Sequence, residues 1–172
     1  RELRGRGPKL LREDFCGTFG VCCEWVKLGP DFHAYGRDLS AEAVAYGSTH
    51  YLPKLTPEQR GRVKIERKDV LSPGGPKSDL IMAMNFSYCL FKKRAELKAY
   101  FENCLKNLRP DGVLALDCFG GGGVQRPNNE RTVHPRFVYY WEQLDFDPVH
   151  NVARCAMHFK PNGRKKIKNV FT

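Results

Sequence analysis

The chain has 172 residues, 41% hydrophobic and 28% charged, and carries a formal net charge of +10. That length suits one domain with its own core rather than two, and the balance is that of a folded globular chain. No apolar run approaches the ~20 residues that a helical membrane span requires, and no stretch has the layout of a signal peptide.

The excess of positive charge favours an anionic neighbour such as RNA, DNA, an acidic protein or a membrane surface. A solvated basic surface with no partner satisfies it equally well. The basic residues gather at the two ends: Arg1, Arg4, Arg6, Lys9 and Arg12, then Arg164, Lys165, Lys166 and Lys168. This clustering leans toward RNA contact. The seven cysteines are odd in number and form no C-x-x-C, so neither a disulfide scaffold nor a zinc ribbon is expected. A reducing compartment follows, the cytoplasm or an organelle matrix such as the mitochondrial one. The chain begins at Arg1 and stops at Val170-Phe171-Thr172, partway through an apolar pattern. A processed or incompletely represented protein is expected.

Residues 1–9 are basic and glycine-rich and read as a tail or linker; the domain proper is expected over 10–160. Its first strand spans about Leu10 to Phe15 and carries two carboxylates, Glu13 and Asp14. A tight turn at Cys16-Gly17-Thr18 leads into a helix over about Thr18 to Lys27. Strand, acid, glycine turn and helix open a pocket for a nucleotide-like cofactor in α/β domains. Gly29-Pro30-Asp31 breaks the helix. A second strand, Phe32 to Leu39, carries Asp38, and Ser40 is placed to cap a helix over Ala41 to Tyr51. Asp38 follows Gly17 by 21 residues, the spacing at which a carboxylate accepts hydrogen bonds from ribose hydroxyls. Its alternative role is to serve the dipole of the helix behind it.

Pro53 to Gly61 reads as a loop. Arg62 to Arg67 alternates as a half-buried strand does, followed by Asp69 and Val70. After the loop Ser72 to Pro76, the run Ser78 to Met84 suits a central parallel strand covered on both sides. Asn85-Phe86-Ser87-Tyr88 stands at its carboxyl end, where open α/β sheets bind ligands. Phe91 to Leu108 reads as a long amphipathic helix, Arg109-Pro110-Asp111-Gly112 ends it, and Val113 to Phe119 is a fifth strand. Gly120 to Pro135 is expected as a mobile, lid-like loop. Phe137 to Phe146 and Asn151 to Phe159 form a hairpin. The basic segment 161–172 ends in the start of another strand near Lys166. His33, His50, His134 and His150 find no convincing partners, and no metal site is expected.

The order of these parts resembles the class I S-adenosylmethionine-dependent methyltransferases. The segments E-D-F-C-G-T, N-F-S-Y-C-L-F and W-E-Q-L-D-F-D-P are similar to an uncharacterised bacterial-type branch of that family. The resemblance covers residues 9 to 160. It implies a doubly wound, Rossmann-like sheet of seven strands, mostly parallel, with an antiparallel C-terminal hairpin, and S-adenosyl-L-methionine as the cofactor. It implies that Glu13 opens the cofactor motif, that Phe15, Cys16, Gly17 and Thr18 form the turn, and that Asp38 holds the ribose. Asp69 and Val70 would lie near the adenine and Asn85 near the transferred methyl.

Asn85 to Tyr88 compares with the N-P-P-Y motif of amino-group methyltransferases, in which the asparagine receives the amine's N–H groups and the aromatic stacks on the substrate. Both prolines are replaced here, by Phe86 and Ser87. Asn85 and Tyr88 are the catalytic candidates. Phe15 and Phe19 stand where the family pattern has its first and third glycines, so Phe19 either crowds the cofactor or packs beneath the turn. Methyl transfer to an unknown acceptor is the leading reading. The competing one is a methyltransferase-fold subunit of weak or lost activity, with a structural or RNA-contacting role in a larger assembly. A dinucleotide-dependent oxidoreductase is disfavoured by the missing G-x-G-x-x-G and by the final hairpin.

Overall fold

A computed structural model describes residues 5–171, the last three by backbone alone. Arg1 and Arg4 of the basic N-terminal cluster lie outside the described residues. The chain divides into two compact units, one ending at Asp117 and the other starting at Cys118.

The first unit holds a parallel five-stranded sheet. β1 (Leu10–Asp14), β2 (His33–Asp38), β3 (Val63–Arg67), β4 (Ser78–Ala83) and β5 (Leu108–Leu116) lie in the order β3-β2-β1-β4-β5. The chain winds outward from β1 to β3, then returns to β1's other side, so direction reverses between β1 and β4. α1 (Gly20–Trp25), α2 (Ala41–His50) and the short α3 (Pro57–Arg60) belong to the first half, and α4 (Arg94–Asn107) links β4 to β5. Ser40 caps α2 as expected, its hydroxyl accepting the Ala43 amide at 3.1 Å. The stretch expected as a loop over 53–61 contains α3, set by a capping box between Thr56 and Gln59.

Because strand side chains alternate, β1 serves two cores. Phe19, Cys22, Cys23, Val26, Ala34 and Leu55 fill one. Val70, Ile81, Ala83, Tyr100 and Cys104 fill the other. The second side also buries charge: Arg12 and Arg37 are 0% exposed and Asp14 is 1% exposed. No helix joins β3 to β4. The crossing loop lies across this side, and its carbonyls need donors. Arg37 supplies two, to Ser72 and Gly74, both at 2.7 Å. Arg12 Nη2 reaches the Val70 carbonyl at 3.4 Å, and Asn103 Nδ2 the same oxygen at 2.6 Å. At the opposite end of the sheet, buried Asp79 accepts the amides of Lys9 and Leu10, both at 2.9 Å, and the guanidinium of Arg6 at 2.7 Å.

The second unit is an antiparallel sheet in the order β6-β7-β8-β9: β6 (Asn128–Val133), β7 (Phe137–Asp147), β8 (Val152–Pro161) and β9 (Ile167–Phe171). Two expectations are corrected here. The strands form a five-stranded and a four-stranded sheet, not one sheet of seven. The expected lid over 120–135 instead contains a single 3-10 turn, Gly122–Gln125, and the edge strand β6. Every residue of β6 is exposed, so no apolar alternation marks it in the sequence; its partner β7 decides its conformation. The hairpin and the final strand stand where expected. Leu144 interrupts the β7–β8 register between Gln143 and Asp145, a bulge. His150, expected to lack a partner, contacts Asp147 Oδ2 through Nδ1 at 2.6 Å.

Candidate functional site at the carboxyl ends of the parallel strands

In open α/β sheets the ligand crevice lies outside the carboxyl ends of the strands, where the winding reverses. Here that is the space beside the ends of β1 and β4. Two loops border it: residues 15–19 after β1 and residues 84–86 after β4.

Both loops are conformationally strained. Five non-glycine residues have positive φ among those described: Phe15 (56°), Phe19 (48°), Asn85 (57°), Phe86 (57°) and Asn151 (55°). Four of the five stand on these two loops. A left-handed residue with a Cβ costs roughly 1–2 kcal/mol, and such strain concentrates at functional sites. With Gly17 at 52°, the first turn alternates left-handed residues at 15, 17 and 19. This lets the Cys16 carbonyl accept the Phe19 amide at 2.7 Å.

Phe19 packs beneath the turn. Its side chain is fully buried among Cys22, Cys23 and Val26. Gly47 of α2 makes room: a Cβ there would stand 2.5 Å from Phe19 Cε1 and closer still to the Thr18 carbonyl. Phe15 turns to the other side, against Tyr100 and Phe91, each with ring centroids 6.0 Å away. The two rings pack into the cores on opposite sides of the sheet.

Two neighbouring carboxylates, Asp38 and Glu13, hold the turn and the helix that follows it. Asp38 Oδ2 accepts the Gly17 amide at 2.6 Å, and its Oδ1 accepts the Ser40 amide at 2.8 Å. Glu13 Oε2 accepts the Cys22 amide at 3.2 Å and the Cys22 thiol at 3.0 Å. Burial raises the Glu13 carboxyl above the usual range, and the nearby Asp38 charge adds to this. Asp14 points the opposite way. It pairs with Arg12 Nε at 2.7 Å and accepts the Tyr100 hydroxyl at 3.2 Å. Burial raises Asp14 as well, against the pull of Arg12. Burial pushes the Cys16 and Cys22 thiols up, so neither is an activated nucleophile.

The expected site residues therefore separate. Phe15, Cys16, Gly17 and Thr18 make up the turn, Asp38 bonds it through Gly17, and Glu13 bonds the start of α1 behind it. Asp69 closes its own local turn, accepting the Leu71 amide at 2.8 Å, while Val70 is buried in the second core. Asn85 is exposed at the end of β4 and Tyr88 is half-buried beside Phe101. Three participants escaped the sequence reading. Arg12, counted among the basic residues near the N-terminus, is buried, and so is Arg37. Asp117, just past β5, accepts the Asn85 and Phe86 amides, both at 2.8 Å. An acid at a strand's carboxyl end, the cue that singled out Asp38, was present at Asp117 too.

No family model matches the chain, and no curated protein sequence matches it. Solved structures do. An S-adenosylmethionine-dependent methyltransferase from Clostridium acetobutylicum ATCC 824 matches with a TM-score of 0.66 and 22% identity, over 93% of this chain and 64% of that one. The sugar N-methyltransferase KedS8 from Streptoalloteichus sp ATCC 53650 matches with a TM-score of 0.65 and 20% identity, over 98% and 66%. CalS10, an amino pentose methyltransferase from Micromonospora echinaspora bound to S-adenosylmethionine, matches at 0.70 and 17%, over 98% and 69%. The chain spans about two thirds of the length of these structures. It has the α/β, Rossmann-like fold of S-adenosylmethionine-dependent methyltransferases, with a parallel five-stranded sheet and a separate antiparallel one.

Proposed function

We propose that this chain transfers a methyl group from S-adenosylmethionine to an amine acceptor. The observation that carries the reading is the placing of strain. Four of the five left-handed non-glycine residues stand on the two loops beside the winding reversal, in a chain with this fold. Bound there, S-adenosylmethionine supplies a methyl carbon already activated by its sulfonium. The protein then needs to hold donor and acceptor in line, and proximity supplies most of the acceleration.

The residues divide that work. The turn 15–18 accommodates the cofactor, with Phe19 withdrawn into the core. Asp38 receives the ribose hydroxyls: each carboxylate oxygen has a second lone pair beyond those given to Gly17 and Ser40. Glu13 keeps α1 against the turn through Cys22. Asp69 and Val70 border the adenine. Asn85 offers a side-chain carbonyl to the acceptor's N–H, and Tyr88 offers a ring. The names of KedS8 and CalS10 support an amino group on a sugar as the acceptor class.

Calorimetric titration with S-adenosylhomocysteine tests the reading. The intact protein is expected to bind, and the Asp38→Asn variant, checked for folding by circular dichroism, to bind at least tenfold more weakly. Absence of binding by the intact, folded protein overturns the proposal.

The RNA-contacting, inactive-subunit alternative drew on Phe15 and Phe19 as well as on charge. With Phe19 packed in the core, only the charge still favours it. Phosphate contacts predict an affinity for RNA that falls steeply with salt; an affinity independent of salt excludes them.

A further inference from the structure

We infer that Asp117 is a positioning residue for the acceptor side of the site: its carboxylate holds the loop that carries Asn85 in a shape the loop would not keep alone. The inference rests on the methyl-transfer reading above and assigns a role to a residue outside the cofactor turn.

Two features meet at this loop. Asn85 and Phe86 are consecutive, both left-handed at φ 57°, and neither is glycine. Side-chain-bearing residues visit that region singly rather than in succession, so the pair needs an outside partner. Asp117 provides it with one oxygen for each amide: Oδ2 for Asn85 and Oδ1 for Phe86, both at 2.8 Å. Two successive N–H groups turned to one side form an anion-receiving hollow, and the carboxylate fills it. Hydrogen bonds to an ionised acceptor are about twice as strong as neutral ones.

Two further bonds of the loop are local. The Met84 carbonyl accepts the Ser87 hydroxyl at 2.7 Å, and the Phe86 carbonyl accepts the Cys89 amide at 2.8 Å. The bonds from Asp117 span 31 and 32 residues and tie the end of β4 to the end of β5. They leave the Asn85 side chain exposed to solvent. Position 117 thereby fixes where an acceptor-facing residue stands without contacting the cofactor turn.

Amide hydrogen exchange and S-adenosylhomocysteine calorimetry, read together on the full chain, test this. In Asp117→Ala, exchange at Asn85 and Phe86 is expected to accelerate at least tenfold, while β4 and α4 stay protected and the cofactor product binds within about twofold of the parent. Asp117→Asn retains one acceptor oxygen and is expected to keep one of the two amides protected, which a general loss of stability would not do. Unchanged exchange at both amides overturns the inference. So does a loss of S-adenosylhomocysteine affinity in Asp117→Asn as large as that in Asp38→Asn, because Asp117 would then serve the cofactor side. If the parent protein itself fails to bind S-adenosylhomocysteine, the methyl-transfer reading falls, whatever the exchange at Asn85 and Phe86 shows.

Discussion

Asp38 holds the turn that lies 21 residues before it, accepting the Gly17 amide at 2.6 Å through one oxygen while the other accepts the Ser40 amide. One carboxylate thus joins the ends of β1 and β2 and the start of α2. A hydrogen bond to a charged group contributes about 1.5–3 kcal/mol. Asp38→Ala is expected to lose about that much stability in urea denaturation, before any effect on binding is counted. A variant as stable as the parent would show that the turn holds itself.

Gly47 gives a test in which two effects oppose. Alanine is the better helix former by about 1 kcal/mol, yet its Cβ would meet the Thr18 carbonyl and the Phe19 ring. Backbone cannot step aside as a flexible side chain can. Gly47→Ala is expected to destabilise on balance by about 1–2 kcal/mol, since overpacking against backbone lies at the upper end of the usual 1–3 kcal/mol and the propensity gain offsets about 1 kcal/mol of it. A gain in melting temperature would contradict the packing described here.

Substitutions at Phe19 separate packing from backbone strain. Phe19→Ala removes a fully buried ring and should cost about 3–5 kcal/mol. Phe19→Gly leaves the same void but relieves the left-handed residue, worth roughly 1–2 kcal/mol. The glycine variant is therefore expected to be the more stable of the two by chemical denaturation. The reverse order would mean that φ at this position carries no strain.

Arg12 and Asp14 are both 0% exposed in their side chains, and Arg12 Nη1 has no hydrogen-bond partner. Breaking a buried pair costs about 3–5 kcal/mol, whereas replacing both members with apolar residues is often neutral. Arg12→Met alone should fall in that range. Arg12→Met combined with Asp14→Leu should recover most of the loss, less what the Tyr100 hydroxyl forfeits. Additive losses in the double variant would argue against a coupled pair.

The raised Glu13 carboxyl sets a pH dependence. The folded state binds this proton more tightly than the unfolded chain does, so its contribution to stability is full below the ordinary carboxylate range. It is lost as pH rises through the folded-state value. Glu13→Gln lacks the ionisation but retains an acceptor for the Cys22 amide. Its melting temperature relative to the parent should therefore rise from acid toward neutral pH. A difference that is flat or falling across that window would show that Glu13 ionises without penalty.

The parallel half of the fold was legible because its signals are local. Ser40 before α2, the apolar run of β4 and the glycine turn each announce themselves within a few residues. β6 was not legible: N-N-E-R-T-V alternates in nothing and becomes a strand only beside β7. The single seven-stranded sheet came from the family resemblance, and nothing in the residues specifies whether the hairpin pairs with β5. At the site, Asp38 was visible through spacing, but its bond to Gly17 was not. Phe19 posed a question that sequence could not answer, because the space that receives its ring is made by Gly47, 28 residues on. The burial of Arg12 and Arg37 was hidden for a similar reason. Besides Asp14 and Tyr35 on their own strands, they reach carbonyls of a distant loop, and a carbonyl leaves no trace in composition.

Asp14 receives Tyr100 from 86 residues further along the chain. At synthesis rates of about 5–20 residues per second, that gap lasts roughly 4–17 s. For that interval the emerging chain carries β1 with one side lacking α4, its buried ion pair open to water. Until α4 arrives, water rather than Tyr100 solvates the Asp14 carboxylate on this face of β1, and burial of the pair comes late in synthesis.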